Sequence, residues 1–290
     1  MSQLTSRFDF IARMAIFAIA ALLPVWFIPG SLGIEFGREA TFTILVAIAV
    51  IAHLLMVLVS GEMRVQKSLI WYAALLLLVV SALGTFFSKA PLTSLFFGDA
   101  IAEKLSTLVL GLALMGVAGS VFRTYKEAGA ALLIFLFSAG IGALLTLVQL
   151  LFGVSAFGVI SQFAGGIDFN VIGTLNGVAL FYGTCMIMGF GILLSPMFRE
   201  WRRWVQYGMY ASVGFFFFDL VLINFRTAWI ALFGAGILLL GFVFASVRAG
   251  RGEGEGLFIK DWRSWPVIGL LMVSAVCIMV RTPIFGGLEV

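Results

Sequence analysis

Charge is what this sequence has least of. It has 18 basic and 14 acidic residues in a 290-residue chain, an 11% charged fraction, where soluble domains carry roughly 25%. A water-soluble fold of this length needs more polar surface than that, so a cytosolic enzyme is excluded. Cysteine is scarce too. Only Cys185 and Cys277 occur, both inside apolar runs, which excludes a disulfide-stapled secreted domain. There is one histidine, His53, and nothing in its surroundings suggests a metal. No run of proline, serine or charge marks a disordered tail or a soluble domain. What is present is apolar: 62% hydrophobic residues and 14% aromatic, with 30 phenylalanines. The solvent such a chain needs is lipid.

A helix crossing a bilayer needs about 20 mostly apolar residues. Nine stretches qualify, near 10–29, 40–60, 68–88, 105–122, 128–151, 171–195, 205–225, 227–248 and 265–281. The breaks between them are short and polar, as in GEMRVQKS at 61–68 and REWRRW at 199–204. The expectation is an all-α polytopic transmembrane bundle, with residues 1–290 forming one transmembrane domain. The first stretch is longer than the core of a signal peptide and lacks a convincing cleavage site, so it is expected to be retained as a span.

Basic residues orient the bundle. With nine spans and a cytoplasmic N-terminus, the inner loops hold 13 Lys and Arg and the outer loops hold five, accounting for all 18. The C-terminus is then outside. The same distribution explains the net charge of +4 through anionic lipid headgroups, with no nucleic acid required.

A charge inside a span costs about 2.5–3.5 kcal/mol at the helix centre on the lower scales, so each one needs a reason. Asp219 lies deep in the seventh stretch, FFFFDLVLINFR, and Arg226 follows seven residues later. Seven residues are two helical turns, which would put both on one face about 10 Å apart along the axis. Two readings of Asp219 stay open: part of a polar stripe facing an outward cavity, or a packing polar group that is neutral or paired to a neighbouring helix. Arg226 interrupts an apolar run from Phe215 to Val247 on the outer side, where the charge rule disfavours arginine. A guanidinium there suits a phosphate or diphosphate, while the alternative is a snorkelling helix-end arginine. His53 and Gln149 read more simply as helix–helix hydrogen-bonding groups. The remaining outer cations include Lys104, at the mouth of the fourth stretch, and Arg281, just beyond the ninth. Asn176, early in NVIGTLNGVALF, has an amide able to line a polar pocket.

Three pieces together resemble a known family. Phe97-Gly98 lead through to Lys104 before a span, Gly173-Thr174-Leu175-Asn176 opens another, and Arg226 begins INFRTAWIALFG. This order looks like the O-antigen ligase and O-antigen polymerase superfamily of bacterial envelope glycosyltransferases. The resemblance implies transfer of a glycan from a polyprenyl-diphosphate carrier to an acceptor lipid, glycan or protein, at the outer face of the bacterial inner membrane. It implies no cofactor, because the lipid diphosphate is itself the leaving group. It makes Arg226 the diphosphate-binding, catalytic arginine, and Lys104, Asn176, Arg281 and Asp219 the substrate-binding set. The chain departs from the family in having Leu175-Asn176-Gly177-Val178 where a Gly-Asn-Pro-Asn run is usual. It also lacks the large outer loop with a histidine, and the expectation is that it is an N-terminal part of such an enzyme. The alternative function is a lipid-linked glycan or small-solute transporter, with Asp219 and His53 on a buried polar pathway.

Overall fold

The computed structural model describes residues 3–26, 34–61, 69–88, 105–152, 175–195, 198, 200–250 and 264–279. Among the described residues there are nine α-helices and no strand. They are α1 (Gln3–Leu22), α2 (Ile34–Ser60), α3 (Leu69–Phe86), α4 (Leu105–Val121) and α5 (Tyr125–Phe152), then α6 (Leu175–Leu194), α7 (Arg203–Ile223), α8 (Arg226–Gly250) and α9 (Ser264–Met279). Each of the nine apolar stretches overlaps one of them. Gly37–Ser60, Tyr125–Phe152, Leu175–Leu194, Arg203–Ile223 and Arg226–Ala245 are long and apolar enough to cross a membrane. Trp71–Phe86, Leu105–Val121 and Trp265–Met279 are apolar but shorter. Large apolar side chains such as Leu58, Leu76 and Phe242 stand exposed, as expected where the surrounding medium is lipid.

The first helix departs from its predicted 10–29 boundaries at both ends. It begins by Gln3, because the polar segment ahead of the apolar run is itself helical, with Arg13 bonded to Asp9 one turn earlier. It ends at Leu22, because Pro24 disfavours helical geometry at the residue before it and has no N–H to donate. One further turn closes on the Leu22 carbonyl, which accepts from the N–H groups of Val25 and Trp26.

Contacts divide the chain into two compact units, Met1–Phe135 and Leu136–Val290, with the boundary inside α5. In the first unit, α1 packs on α2 and α4. Its buried stripe includes Thr5, Asp9, Ala12, Ala15, Ile16 and Ile19, the helical spacing of one face. Ala12 and Ala15 meet Ala49, Ala52, Val117 and Val121 in a small-residue core. Side chains this short let helix backbones approach closely, which is how helices associate when lipid competes for every apolar contact.

An ion cluster ties the start of α1 to the α4–α5 turn. The Arg13 guanidinium donates to Glu127 Oε1 at 2.6 Å and to Asp9 Oδ2 at 2.8 Å. Arg123 Nη2 lies 3.5 Å from Asp9 Oδ2. The Glu127 N–H donates to Thr124 Oγ1, while Glu127 Oε2 accepts the Arg123 N–H at 2.9 Å. Thr124-x-x-Glu127 is thus a capping arrangement that starts α5.

The second unit is built from the later part of α5 with α6 to α9. Thr146 of α5, Tyr182 of α6 and Phe216 of α7 form one layer. The two hydroxyls are 2.9 Å apart, and the Tyr182 and Phe216 rings stack at 5.5 Å. Small residues set the separations. A Cβ placed on Gly140 would lie 2.7 Å from Ser212 Cβ, and one on Gly189 would lie 2.7 Å from Val213 Cγ2. On the other side, Gly183 faces Leu232 of α8, and Gly236 faces Leu271 of α9.

Candidate functional site

The α7–α8 connection defines the site. Helix α7 stops at Ile223, where Asn224 takes a left-handed conformation at φ 47° and its N–H closes on the Leu220 carbonyl. Asparagine tolerates that conformation better than most side chains. Phe225 follows, and its carbonyl accepts from the N–H groups of Ala228 and Trp229, starting α8 at Arg226. Asp219 and Arg226 therefore do not share a helix face. The seven-residue spacing that suggested two turns of one helix spans the end of α7 and the start of α8.

Arg226 is exposed, and its guanidinium makes no ion pair among the described residues. The first turn of α8 holds no acidic residue. The N–H groups of Arg226 and Thr227 precede the first helical hydrogen bonds of α8, so they are not committed to the helix ladder. Arginine, threonine hydroxyl and helix N-terminus together favour an anion.

Packing contacts fix where the other predicted residues lie. Tyr182 opposite Phe216 and Gly189 opposite Val213 make α6 and α7 antiparallel. Asp219 is therefore about one turn beyond the Thr146–Tyr182–Phe216 layer, toward the α7–α8 turn. Asn176 lies six residues before Tyr182 in α6, and so at that same end, where it is exposed. Asn176, Asp219 and Arg226 thus gather at one end of the second unit. Lys104, Thr174 and Arg281 lie outside the described residues.

Asp219 differs from the other two. It has 0% exposure, and neither carboxyl oxygen has a hydrogen-bond partner. As placed, its carboxyl makes no hydrogen bond to a neighbouring helix and reaches no surface. Trp229, three residues after Arg226, is also fully buried, with its indole N–H unpartnered. Gly183 opposite Leu232 puts Trp229 close to the level of Asp219. In the first unit, His53 is buried in α2, and its Nδ1 has no hydrogen-bond partner.

The sequence reading passed over the Thr146–Tyr182 pair and the Thr124–Glu127 cap. The second had a local signal in T-x-x-E before an apolar run. The first had none, since it depends on the register between two helices.

Fold and site together define an all-helical protein with several helices fit to span a membrane and a polar end on its second unit. No protein-family model matches the chain, and no curated protein or solved structure matches it.

Proposed function

We propose that this protein is a membrane glycosyltransferase of the O-antigen ligase type, or part of one, moving a glycan from a polyprenyl-diphosphate carrier to an acceptor lipid, glycan or protein. The proposal includes nine spans in a bacterial inner membrane, with the N-terminus cytoplasmic and the α7–α8 turn on the outer side. The observation that carries it is Arg226: an exposed arginine without an ion-pair partner among the described residues, on a two-residue turn, beside uncommitted helix N–H groups.

Breaking the bond between sugar and diphosphate leaves growing negative charge on the leaving group, and donors fixed in advance around that charge lower the barrier. Arginine stays protonated throughout and grips two oxygens at once. In this role Arg226 binds the diphosphate, and Asn176 at the same end offers an amide to the glycan. Lys104 and Arg281 are further basic contacts of the proposal. Asp219 would act from behind, since an exposed carboxylate there would repel the diphosphate.

The test is transfer from a polyprenyl-diphosphate-linked glycan by the whole protein in membranes. Arg226→Ala is expected to lose transfer by about 100-fold or more, as for removal of one transition-state donor, with Arg226→Lys intermediate. Full transfer by a well-expressed Arg226→Ala protein would end this reading.

A second reading, a transporter of lipid-linked glycan or small solute, is favoured by the buried, unpartnered carboxyl of Asp219. Uptake in sealed vesicles that survives Arg226→Ala but not Asp219→Asn would select it.

A further inference from the structure

We propose that the exposed face of the first two turns of α7 binds the headgroup of an anionic phospholipid, held by Arg202 and Arg203 beside the rings of Trp204 and Tyr207. This face lies at the end of α7 away from the α7–α8 turn, and the proposal holds whether or not Arg226 binds a diphosphate.

The corner that leads into α7 is firmly built. Gln206 Nε2 donates to the carbonyls of Phe198 and Trp201, each at 3.1 Å. Phe198 is buried, and its ring meets those of Trp201 and Tyr210 edge-on at 5.8 and 5.7 Å. Behind the helix, Gly208 faces Phe137 of α5 and Met209 is fully buried. The other face is open. Arg202 and Arg203 are exposed, and Trp204, Tyr207 and Tyr210 are 67%, 68% and 52% exposed. Neither arginine makes an ion pair or a side-chain hydrogen bond among the described residues. Helix stability does not account for them, because cations at a helix N-terminus oppose its dipole, and Arg202 at the N-cap makes no side-chain capping bond. The run REWRRW at 199–204 holds three arginines against Glu200 alone, so the corner attracts anions.

The neighbours on the same face say which anion. Positions 203, 207 and 210 share a helix face, which continues through exposed Ala211 to exposed Phe218. Helix α7 is long and apolar enough to cross a membrane, so below Tyr210 this face meets hydrocarbon. Four residues of helix rise about 6 Å, and the headgroup layer on each side of the hydrocarbon is about 5–8 Å deep. Tryptophan and tyrosine collect at the boundary between the two. With Trp204 and Tyr207 at that boundary, Arg203 reaches the level of the lipid phosphates, whose oxygens a guanidinium binds in pairs. Two adjacent cations select a headgroup of net negative charge over a zwitterionic one, whose ammonium they repel.

The experiment uses the full chain, purified in mild detergent and titrated with phosphatidylglycerol or phosphatidylcholine of the same acyl chains, with native mass spectrometry reading the affinity for the first lipid bound. Phosphatidylglycerol is expected to bind more tightly, and its advantage to fall about fivefold for each of Arg202→Gln and Arg203→Gln, the attraction of one basic side chain to an anionic lipid surface. Arg7→Gln removes an exposed charge from α1 in the first unit and should leave the advantage unchanged. A second measurement needs no variant: photoactivatable phosphatidylglycerol on the unaltered chain, with the cross-link placed by peptide mass spectrometry, should mark the start of α7. Equal affinity for the two lipids overturns the proposal. So does an advantage that survives in folded protein lacking both arginines, an equal loss in Arg7→Gln, or a cross-link that avoids the start of α7.

Discussion

The Tyr182 phenol and the Thr146 hydroxyl lie 2.9 Å apart, both buried, at the level where Tyr182 stacks on Phe216. Thr146 Oγ1 also donates to the Gly142 carbonyl at 3.1 Å. With its proton given to that carbonyl, the Thr146 oxygen accepts from the Tyr182 O–H. Tyr182→Phe removes the donor while keeping the ring stack, and is expected to cost about 0.5–1.5 kcal/mol. Thr146→Val should cost a similar amount, and the double variant less than the two together. Thermal unfolding in detergent measures all three.

Gly140 leaves room for Ser212 and for nothing larger. An added Cβ would lie 2.7 Å from Ser212 Cβ and 3.3 Å from Ser212 Cα, so the helices must move apart. Gly140→Ala is expected to destabilise the protein by about 1–3 kcal/mol. Ser212→Gly in the same chain should recover much of the loss, as read by the unfolding midpoint. Lack of recovery would mean that the two positions do not meet.

The left-handed Asn224 is a second backbone constraint. A β-branched residue there meets its own backbone, so Asn224→Val is expected to lose about 1–2 kcal/mol. Asn224→Gly should be neutral or stabilising, because glycine enters the conformation without a Cβ. The comparison of the two by thermal unfolding separates backbone strain from loss of the side chain.

In the first unit, one guanidinium serves two carboxylates. Arg13→Lys keeps the charge but not the planar fork that reaches Asp9 and Glu127 together. The expected loss is about 0.2–1 kcal/mol, given the partial exposure of the cluster, and added salt should shrink it. Glu127→Gln should have a larger effect than Lys126→Gln, because Glu127 also accepts the Arg123 N–H. Hydrogen exchange at the start of α5 checks this.

The helices were legible because apolar runs of bilayer length, separated by short polar breaks, leave few alternatives. The start of α1 was not, since Asp9 and Arg13 look like loop residues until their one-turn pairing is counted. The relation between Asp219 and Arg226 was misread for a similar reason. Hydropathy is continuous across the α7–α8 turn, and the only local sign of a reversal is Asn224, a residue that tolerates the left-handed region. The gathering of Asn176, Asp219 and Arg226 at one end follows from helix order and direction, so it was within reach. The burial of Asp219 without a partner was not, because it depends on which face of α7 meets α5 and α6. Lys104 and Arg281 remain sequence proposals, outside the described residues.

A link of only two residues joins α7 to α8, too short for either helix to be placed in a bilayer while the other waits outside. The pair would enter as a hairpin. Among the five segments able to span, α7 has the lowest mean hydropathy, 1.3, while α8 reaches 2.3. The more apolar helix would then carry the helix bearing Asp219 into the membrane. Lengthening the turn with a polar insert should make α7 slip out in a glycosylation-tag topology assay, while α8 stays in.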